Sequence, residues 1–211
     1  LVQVTFDDMK LFNPIESTSH FWEQFLIDTN KLQEPVLYLE ALDLTFDYES
    51  IFKTFFNKYS TNEAMRQAAK VRVYKEGLQD ESLLNSIKAH PPKDNESLSS
   101  WGQALFKGSP WCIISDKVSG CIDELTYPIA KWIEPLVANY TPGSFVVDIS
   151  PYIGKYGYTP FGAHVDIQGV SILHLHLGPN PKQMTLWDQD EFRQMAGSDA
   201  TVCHDYERHL T

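Results

Sequence analysis

The most informative pattern in this chain is GAHVDIQGVSILHLHL, residues 162–177. It places a histidine and an aspartate two residues apart, at His164 and Asp166, before an apolar run that begins at Val170. Because side chains two apart along a strand point to the same face, the imidazole and the carboxylate should lie side by side. They supply two of the three protein ligands of a 2-His-1-carboxylate site, which binds non-haem Fe(II) and leaves positions open. The stretch therefore predicts a metal-binding pair at the mouth of a strand.

The apolar run that follows the pair also has the pattern of a strand. Alternation over residues 170–177 puts His174 and His176 on one face and a serine with three leucines on the other, which should meet a core. Three interpretations of the two histidines stay open: solvation or a satisfying neighbour, the lining of a substrate or cosubstrate pocket, and metal ligation. Gly169 can introduce a turn or a bulge, so the sequence does not decide whether these histidines face the His-x-Asp pair.

The hydrophobic pattern of the chain changes near residue 140, from helical to strand-like. Residues 1–140 carry amphipathic helical patterns, the strongest of which follows Asp47 as a helix cap. Beyond them, strand-like segments at 145–149 and 183–187 are joined by turns rich in Gly, Pro and Asn. We therefore expect one integrated domain, with a helix-rich part over residues 1–140 and a β-rich part over residues 141–211.

The helix after Asp47 has an aromatic stripe that is typical of a core-facing surface. The stripe consists of Tyr48, Ile51, Phe52, Phe55, Phe56 and Tyr59. Other patterns predict strands at 71–74 and 110–114 and a loop over 90–100. A further helical pattern over 129–137 contains or adjoins two prolines, which predict a kink or a break.

Composition excludes several classes of partner. The 211-residue chain has 28 acidic and 17 basic residues and a formal net charge of -11. A nucleic acid or an anionic membrane surface is therefore not expected as a partner, because phosphate binding needs a basic footprint. The three cysteines have no CxxC spacing and predict neither a disulfide framework nor a zinc site. With no signal peptide and no apolar run of membrane-spanning length, we expect a cytoplasmic protein.

Residues 159–188, TPFGAHVDIQGVSILHLHLGPNPKQMTLWD, resemble the central motif of the JmjC/cupin-like Fe(II)/2-oxoglutarate-dependent oxygenases. That motif is a His-x-Asp pair, an apolar strand, a Gly turn, and a Lys that begins a strand carrying an aromatic residue. The corresponding elements here are His164 and Asp166, residues 172–177, Gly178, Lys182 and Trp187. The resemblance implies a mainly β fold with helices: a double-stranded β-helix (jelly roll, cupin-like) preceded by a helix-rich N-terminal part.

The resemblance also implies an activity and its site. The expected protein is a dioxygenase that uses Fe(II), 2-oxoglutarate and O2 to hydroxylate an unactivated C–H bond, on a protein or peptide side chain or on a small molecule. His164 and Asp166 would ligate the iron, and Lys182 would hold the distal carboxylate of 2-oxoglutarate. Further candidates for contact with the cosubstrate are Thr159, Tyr158 and His174.

The sequence departs from the family pattern at three places. The turn between Gly178 and Lys182 is long, and Thr159 stands further from the metal pair than the family's cosubstrate-contacting hydroxyl. The family's second histidine ligand lies on a late strand, whereas only His204 and His209 follow here, both in a polar stretch. A jelly roll needs about eight strands, so we expect the chain to be incomplete at its C-terminus. The third ligand is then His204, His209 or a residue beyond the chain end.

Two other functions stay open at this point. One is a non-catalytic cupin-like binding or scaffold protein that keeps the barrel without turnover. The other is a cupin metalloenzyme that uses no keto acid, for which Lys182 would be dispensable and the metal need not be iron. A homodimer through the aromatic N-terminal helix is also left open.

Overall fold

The computed structural model describes residues 2–3, 10–11, 18–39, 46–140, 147–166 and 170–204. The helices in these ranges are α1 (Thr18–Asp28), α2 (Tyr48–Thr61), α3 (Glu63–Ala69), α4 (Ser82–Ala89), α5 (Leu98–Leu105), α6 (Asp123–Tyr140) and α7 (Gln189–Ala196). The strands are β1 (Val2–Gln3), β2 (Lys10–Leu11), β3 (Tyr38–Leu39), β4 (Val71–Lys75), β5 (Leu78–Gln79), β6 (Trp111–Ser115), β7 (Tyr152–Lys155), β8 (Ala163–His164), β9 (Thr185–Leu186) and β10 (Val202–Cys203). Among these helices, none combines the length and the apolar composition of a membrane span.

The strands form one four-stranded antiparallel sheet and three short pairs. The sheet has the order β5-β4-β6-β7, and the pairs are β1 with β9, β8 with β10, and β2 with β3, of which only the last is parallel. Within the described ranges these strands do not close into a barrel. The double-stranded β-helix therefore stays a prediction.

The chain divides into two compact units. The first unit contains Leu1–Thr45, Trp132–Gly143 and Gly162–Thr211, and the second contains Phe46–Lys131 and Ser144–Phe161. Both units draw on sequence from either side of residue 140. The helix-rich and β-rich parts expected from the sequence are thus stretches of the chain, and their integration into one domain stays a prediction.

The second unit is built around a sheet that is buried on both faces. All five residues of β6 are buried, and Ile113 of β6 faces Val73 of β4 while Cys112 faces Tyr74. Because successive strand residues alternate, the first pair points to one face and the second pair to the other. On the second face, Tyr156 packs against a cluster of Tyr74, Cys112 and Ile114. Burial raises the pKa of the Tyr156 phenol to about 12.

Helices cover the first face through a chain of aromatic rings. The rings of Trp111 and Phe106 stack with centroids 4.8 Å apart, and Trp101 meets Trp111 edge-on at 6.2 Å. Phe56 of α2 lies 4.8 Å from Trp101. The predicted stripe of α2 is confirmed, since Phe52, Phe55, Phe56 and Tyr59 are buried. The Asp47 carboxylate accepts a hydrogen bond from the Ser50 amide at 3.0 Å, as the cap prediction required.

In the first unit, α1 builds an aromatic core. Phe21, Trp22 and Phe25 are buried, and the Trp22 indole lies 4.6 Å from that of Trp132. The Trp22 Nε1–H donates to the Trp132 carbonyl at 2.7 Å, so this buried donor is satisfied. Tyr38 packs on Phe21, and burial together with its hydrogen bond to Asp28 raises the pKa of Tyr38.

The structure confirms some of the local predictions and corrects others. The strands at 71–74 and 110–114 are confirmed as β4 and β6. The predicted break at the two prolines is wrong, since α6 runs through both of them, whereas the alternative of a kink stays a prediction. The loop over 90–100 is shorter than expected, because Ser97 caps α5 by accepting from the Ser100 amide at 3.0 Å.

Replacing Gly102 by alanine should destabilise the protein by about 1–3 kcal/mol, as overpacking usually does. Alanine normally stabilises a helix by about 1 kcal/mol relative to glycine. Here the new methyl group would overlap the Trp111 indole. Urea denaturation measures the free energy of unfolding. Ser99→Ala, at an exposed position of the same helix, is the control and should be neutral or slightly stabilising. A stabilising effect of Gly102→Ala would contradict the packing of Trp111 on this helix.

Candidate functional site

The His-x-Asp pair begins on a short antiparallel ladder in the first unit. His164 lies opposite Val202 and Ala163 opposite Cys203 in the pairing of β8 with β10. The Val165 amide donates to the Thr201 carbonyl at 3.0 Å and extends the ladder by one residue. The backbone that carries the imidazole is therefore held by strand pairing rather than by loop contacts.

Gly162 allows the two strands of this ladder to approach closely. Its φ is +70°, and a Cβ atom at this position would overlap the Cys203 carbonyl. Glycine is the residue that combines positive φ with such a close backbone approach at little cost. Residue 162 is thus restricted to glycine both by its backbone conformation and by steric contact with Cys203.

A small apolar cluster supports the ladder from α7. Ala163 and Cys203 are buried together with Phe192, and Trp187 and Met195 pack against them. The N-terminus of α7 is capped by Asp188, whose carboxylate accepts from the Glu191 amide at 2.7 Å. Since Ala163 points into this cluster, alternation directs His164 to the opposite, more exposed side.

The imidazole and the carboxylate of the pair are close together. Nε2 of His164 lies 3.6 Å from Oδ1 of Asp166, and both side chains are partly accessible, at 34% and 52%. Nδ1 of His164 lies 3.1 Å from the Gly162 carbonyl. Because a carbonyl only accepts hydrogen bonds, this contact places a proton on Nδ1, and in the neutral ring the lone pair is then on Nε2. The predicted side-by-side placement of the two residues is confirmed.

His174 and Lys182 lie within electrostatic range of this pair. The pKa of His174 is lowered below its ordinary value of 6.5, first by desolvation of the ring and then by the positive charge of Lys182. His164 lowers the same pKa slightly further, while Asp166 opposes the shift. Charge interactions therefore link His174 to three other residues that the sequence singled out, namely His164, Asp166 and Lys182.

The segment between the pair and Lys182 differs from the prediction. Residues 170–177 were expected to form a strand, but their backbone is irregular in the structure. The predicted apolar face is buried only in part, since Leu175 and Leu177 are half-buried whereas Leu173 is exposed. A strand needs a partner for its backbone groups, and no described strand pairs with this segment.

A hydrogen bond closes the turn that leads to Lys182. The Nε2–H of His176 donates to the Asn180 carbonyl at 2.7 Å. The ring also lies against Gly178, where a Cβ atom would stand 3.2 Å from Cε1 of His176. His176 is thus satisfied by a neighbour, one of the interpretations that the sequence left open.

The described residues do not supply a third donor beside His164 and Asp166. His204 directly follows β10, and its Cα would lie 3.1 Å from a Cβ atom on Gly162, beside the ladder. In the part of the chain that the structure describes, no three side chains of His, Cys, Asp or Glu form a group that could hold a metal ion. His209 lies outside the described residues.

The two remaining cosubstrate candidates lie in the second unit. Tyr158 is exposed and Thr159 is half-buried. Their contact with a cosubstrate stays a prediction. Sequence reasoning missed Val202 as the residue opposite His164, although two β-branched residues in succession, Thr201 and Val202, are a signal for a strand.

Comparisons of the chain with protein-family models, with curated proteins and with solved structures find no match. The interpretation of the site therefore depends on the motif in residues 159–188 and on the geometry of the His164–Asp166 pair. Both observations point to the same two residues.

The imidazole of His174 should titrate below 6.5 in the metal-free protein. Lys182→Gln should raise this pKa, because it removes a positive charge that disfavours protonation. Asp166→Asn should lower it further, because it removes the opposing negative charge. NMR titration of the ring protons measures both shifts.

Lys88→Gln is the control for this titration, because it removes the same charge from an exposed position on α4. It should leave the pKa of His174 unchanged. An unchanged pKa in Lys182→Gln as well would show that Lys182 does not lie near His174.

Proposed function

We propose that this chain is an Fe(II)- and 2-oxoglutarate-dependent oxygenase of the JmjC/cupin-like type, with a double-stranded β-helix fold. Its reaction would be hydroxylation of an unactivated C–H bond on a protein or peptide side chain in the cytoplasm. The observation that carries the proposal is the pairing of His164 Nε2 with Asp166 Oδ1 at 3.6 Å, at the end of β8. The same two residues begin the motif that resembles this family.

The donor atoms fit two positions of such a metal site. Ligands about 2.1 Å from a metal and at right angles to each other stand about 3 Å apart, so a small side-chain movement closes the 3.6 Å separation. The contact of Nδ1 with the Gly162 carbonyl favours the tautomer in which Nε2 ligates, a common arrangement around metal-bound histidines. A nitrogen and an oxygen donor without cysteine suit iron(II), and also manganese, nickel, copper or zinc. Within this sequence, the candidates for the third ligand are His204 and His209.

The other residues of the site would bind and orient the cosubstrate. When bound, iron(II) supplies the redox chemistry that couples oxidative decarboxylation of 2-oxoglutarate by O2 to substrate hydroxylation. Lys182 would hold the distal carboxylate through a charge-assisted hydrogen bond. The lowered pKa of His174 favours the neutral form of its ring. Its ring can therefore exchange hydrogen bonds in the pocket without adding a positive charge beside Lys182.

The second candidate is a cupin-like binding or scaffold protein. The described residues bring only two donors together, and two donors hold a metal less firmly than three. A cupin metalloenzyme that uses no keto acid is the third candidate. These candidates differ in whether metal binding, keto-acid binding and turnover occur together, which makes them separable by experiment.

The first test is an anaerobic titration with Fe(II) and 2-oxoglutarate, followed by oxygen and an assay for succinate. Wild type should bind both ligands and form succinate in an iron-dependent reaction. His164→Ala and Asp166→Ala should reduce succinate formation to the metal-free background, because each removes a ligand. His20→Ala, which alters an exposed histidine outside the pair, should retain the wild-type rate.

Each outcome of this test separates the candidates. Metal binding without succinate would favour the scaffold protein, and metal binding without any effect of 2-oxoglutarate would favour the keto-acid-free enzyme. Succinate formation that persists in both His164→Ala and Asp166→Ala would overturn the proposed site.

Lys182→Met should raise the KM for 2-oxoglutarate about 10- to 100-fold while changing kcat little, since a hydrogen bond to a charged group contributes about 1.5–3 kcal/mol. Lys182→Arg should restore much of the affinity. With 2-oxobutyrate, which lacks the distal carboxylate, Lys182→Met should have no effect on KM. Equal losses for both keto acids would show that Lys182 does not bind that carboxylate.

A further inference from the structure

The ladder of β8 and β10 places Val202 directly across from His164. The hydrogen bond from the Val165 amide to the Thr201 carbonyl identifies the adjacent pair of residues as a hydrogen-bonded pair. Hydrogen-bonded and non-hydrogen-bonded pairs alternate along an antiparallel ladder, so His164 and Val202 form a non-hydrogen-bonded pair. In such pairs the Cα atoms stand about 4.5 Å apart and the side chains approach most closely. Val202 is therefore the nearest cross-strand neighbour of the imidazole.

Val202 and His164 also lie on the same face of the ladder. The next pair, Ala163 and Cys203, points into the apolar cluster beside α7. Because strand residues alternate, Val202 and His164 both point away from that cluster. Val202 keeps 42% of its surface exposed although its side chain is aliphatic. Its methyl groups therefore flank the imidazole from β10.

The imidazole needs a flanking group, because its contact with Asp166 does not fix its orientation. In the neutral ring the proton on Nδ1 faces the Gly162 carbonyl, and Nε2 carries a lone pair. This lone pair and the Asp166 carboxylate are both acceptors, so across 3.6 Å they cannot form a hydrogen bond with each other. The side chain of His164 is 34% exposed, which leaves the ring room to rotate toward water. A ring that stays aligned with Asp166 requires a neighbour that limits this rotation.

We propose that Val202 is a positioning residue for His164, and that it restricts the imidazole to the orientation in which Nε2 and Asp166 bind one metal ion. The inference rests on the proposed function, since it takes the His164–Asp166 pair to be a metal site. A β-branched side chain suits this role, because both methyl groups are attached at Cβ and χ1 has few accessible rotamers. Val202 has no donor atom in its side chain, so it acts only through the imidazole.

The first test observes the imidazole itself in the metal-free 211-residue chain. Long-range proton–nitrogen NMR correlations distinguish the two tautomers at a pH at which the ring is neutral. Wild type should carry the proton mainly on Nδ1. Val202→Ala should lower this fraction, because a ring that rotates away loses the Gly162 carbonyl as its acceptor. Val202→Thr keeps the β-branched shape and should restore the wild-type fraction.

The second test titrates the same variants with Co(II), whose visible absorption reports coordination. Val202→Ala should weaken Co(II) binding about 10-fold, the lower end of the loss that follows removal of a group that orients a metal ligand. Val202→Thr should bind Co(II) as tightly as wild type. Since Val202 is half-exposed, the alanine variant should stay folded, which urea denaturation checks.

Val165→Ala is the matched control. It removes the same two methyl groups from a valine that is 47% exposed and adjoins His164 in the chain. By alternation, however, Val165 belongs to the opposite face of the ladder. The control should change neither the tautomer fraction nor the affinity for Co(II). Equal losses in the two alanine variants would show that the ladder has merely loosened, and would overturn the proposal.

The two measurements separate this inference from the proposed function. If wild type does not bind Co(II), the metal site of the proposed function fails, and the tautomer fraction alone decides whether Val202 positions the ring. If wild type binds Co(II) and Val202→Ala matches it in affinity and in tautomer fraction, the inference is wrong and the metal site stands.

Discussion

The close approach of Gly162 to Cys203 is the constraint on which the candidate metal site depends. It lets β8 and β10 pair, and this pairing carries His164 on its exposed side while Ala163 anchors the other side in an apolar cluster. The same glycine accepts a hydrogen bond from the imidazole through its carbonyl and so selects the tautomer. A larger residue at this position would overlap the Cys203 carbonyl and change the backbone that carries His164.

The two units organise polar groups by different physical means. In the first unit, the His-x-Asp pair is local in sequence, and strand geometry alone brings its atoms to 3.6 Å. In the second unit, the bond between Arg72 and Asp116 joins residues far apart in the chain and requires β4 and β6 to be in register. An arrangement of the first kind is visible as a motif, whereas one of the second kind exists only once the sheet has formed.

Local patterns were most reliable where burial was nearly complete. The stripe of α2 and the strands β4 and β6 were predicted from periodicity, because their side chains pack against a continuous core. The same reasoning failed for residues 170–177, whose strand pattern has no described partner strand. The prolines also do not break α6, which stays helical through both of them. Periodicity reports which face can be buried, but pairing decides whether a strand forms.

The His164–Asp166 pair, the cap of α2 and the apolar faces can be recognised from the sequence, because each follows from a spacing of a few residues. The tertiary structure is needed to place Val202 opposite His164 and to bring His174 and Lys182 within electrostatic range of the pair. These relations join residues that are distant along the chain. Their distances depend on strand register and side-chain packing, which no short stretch of sequence specifies.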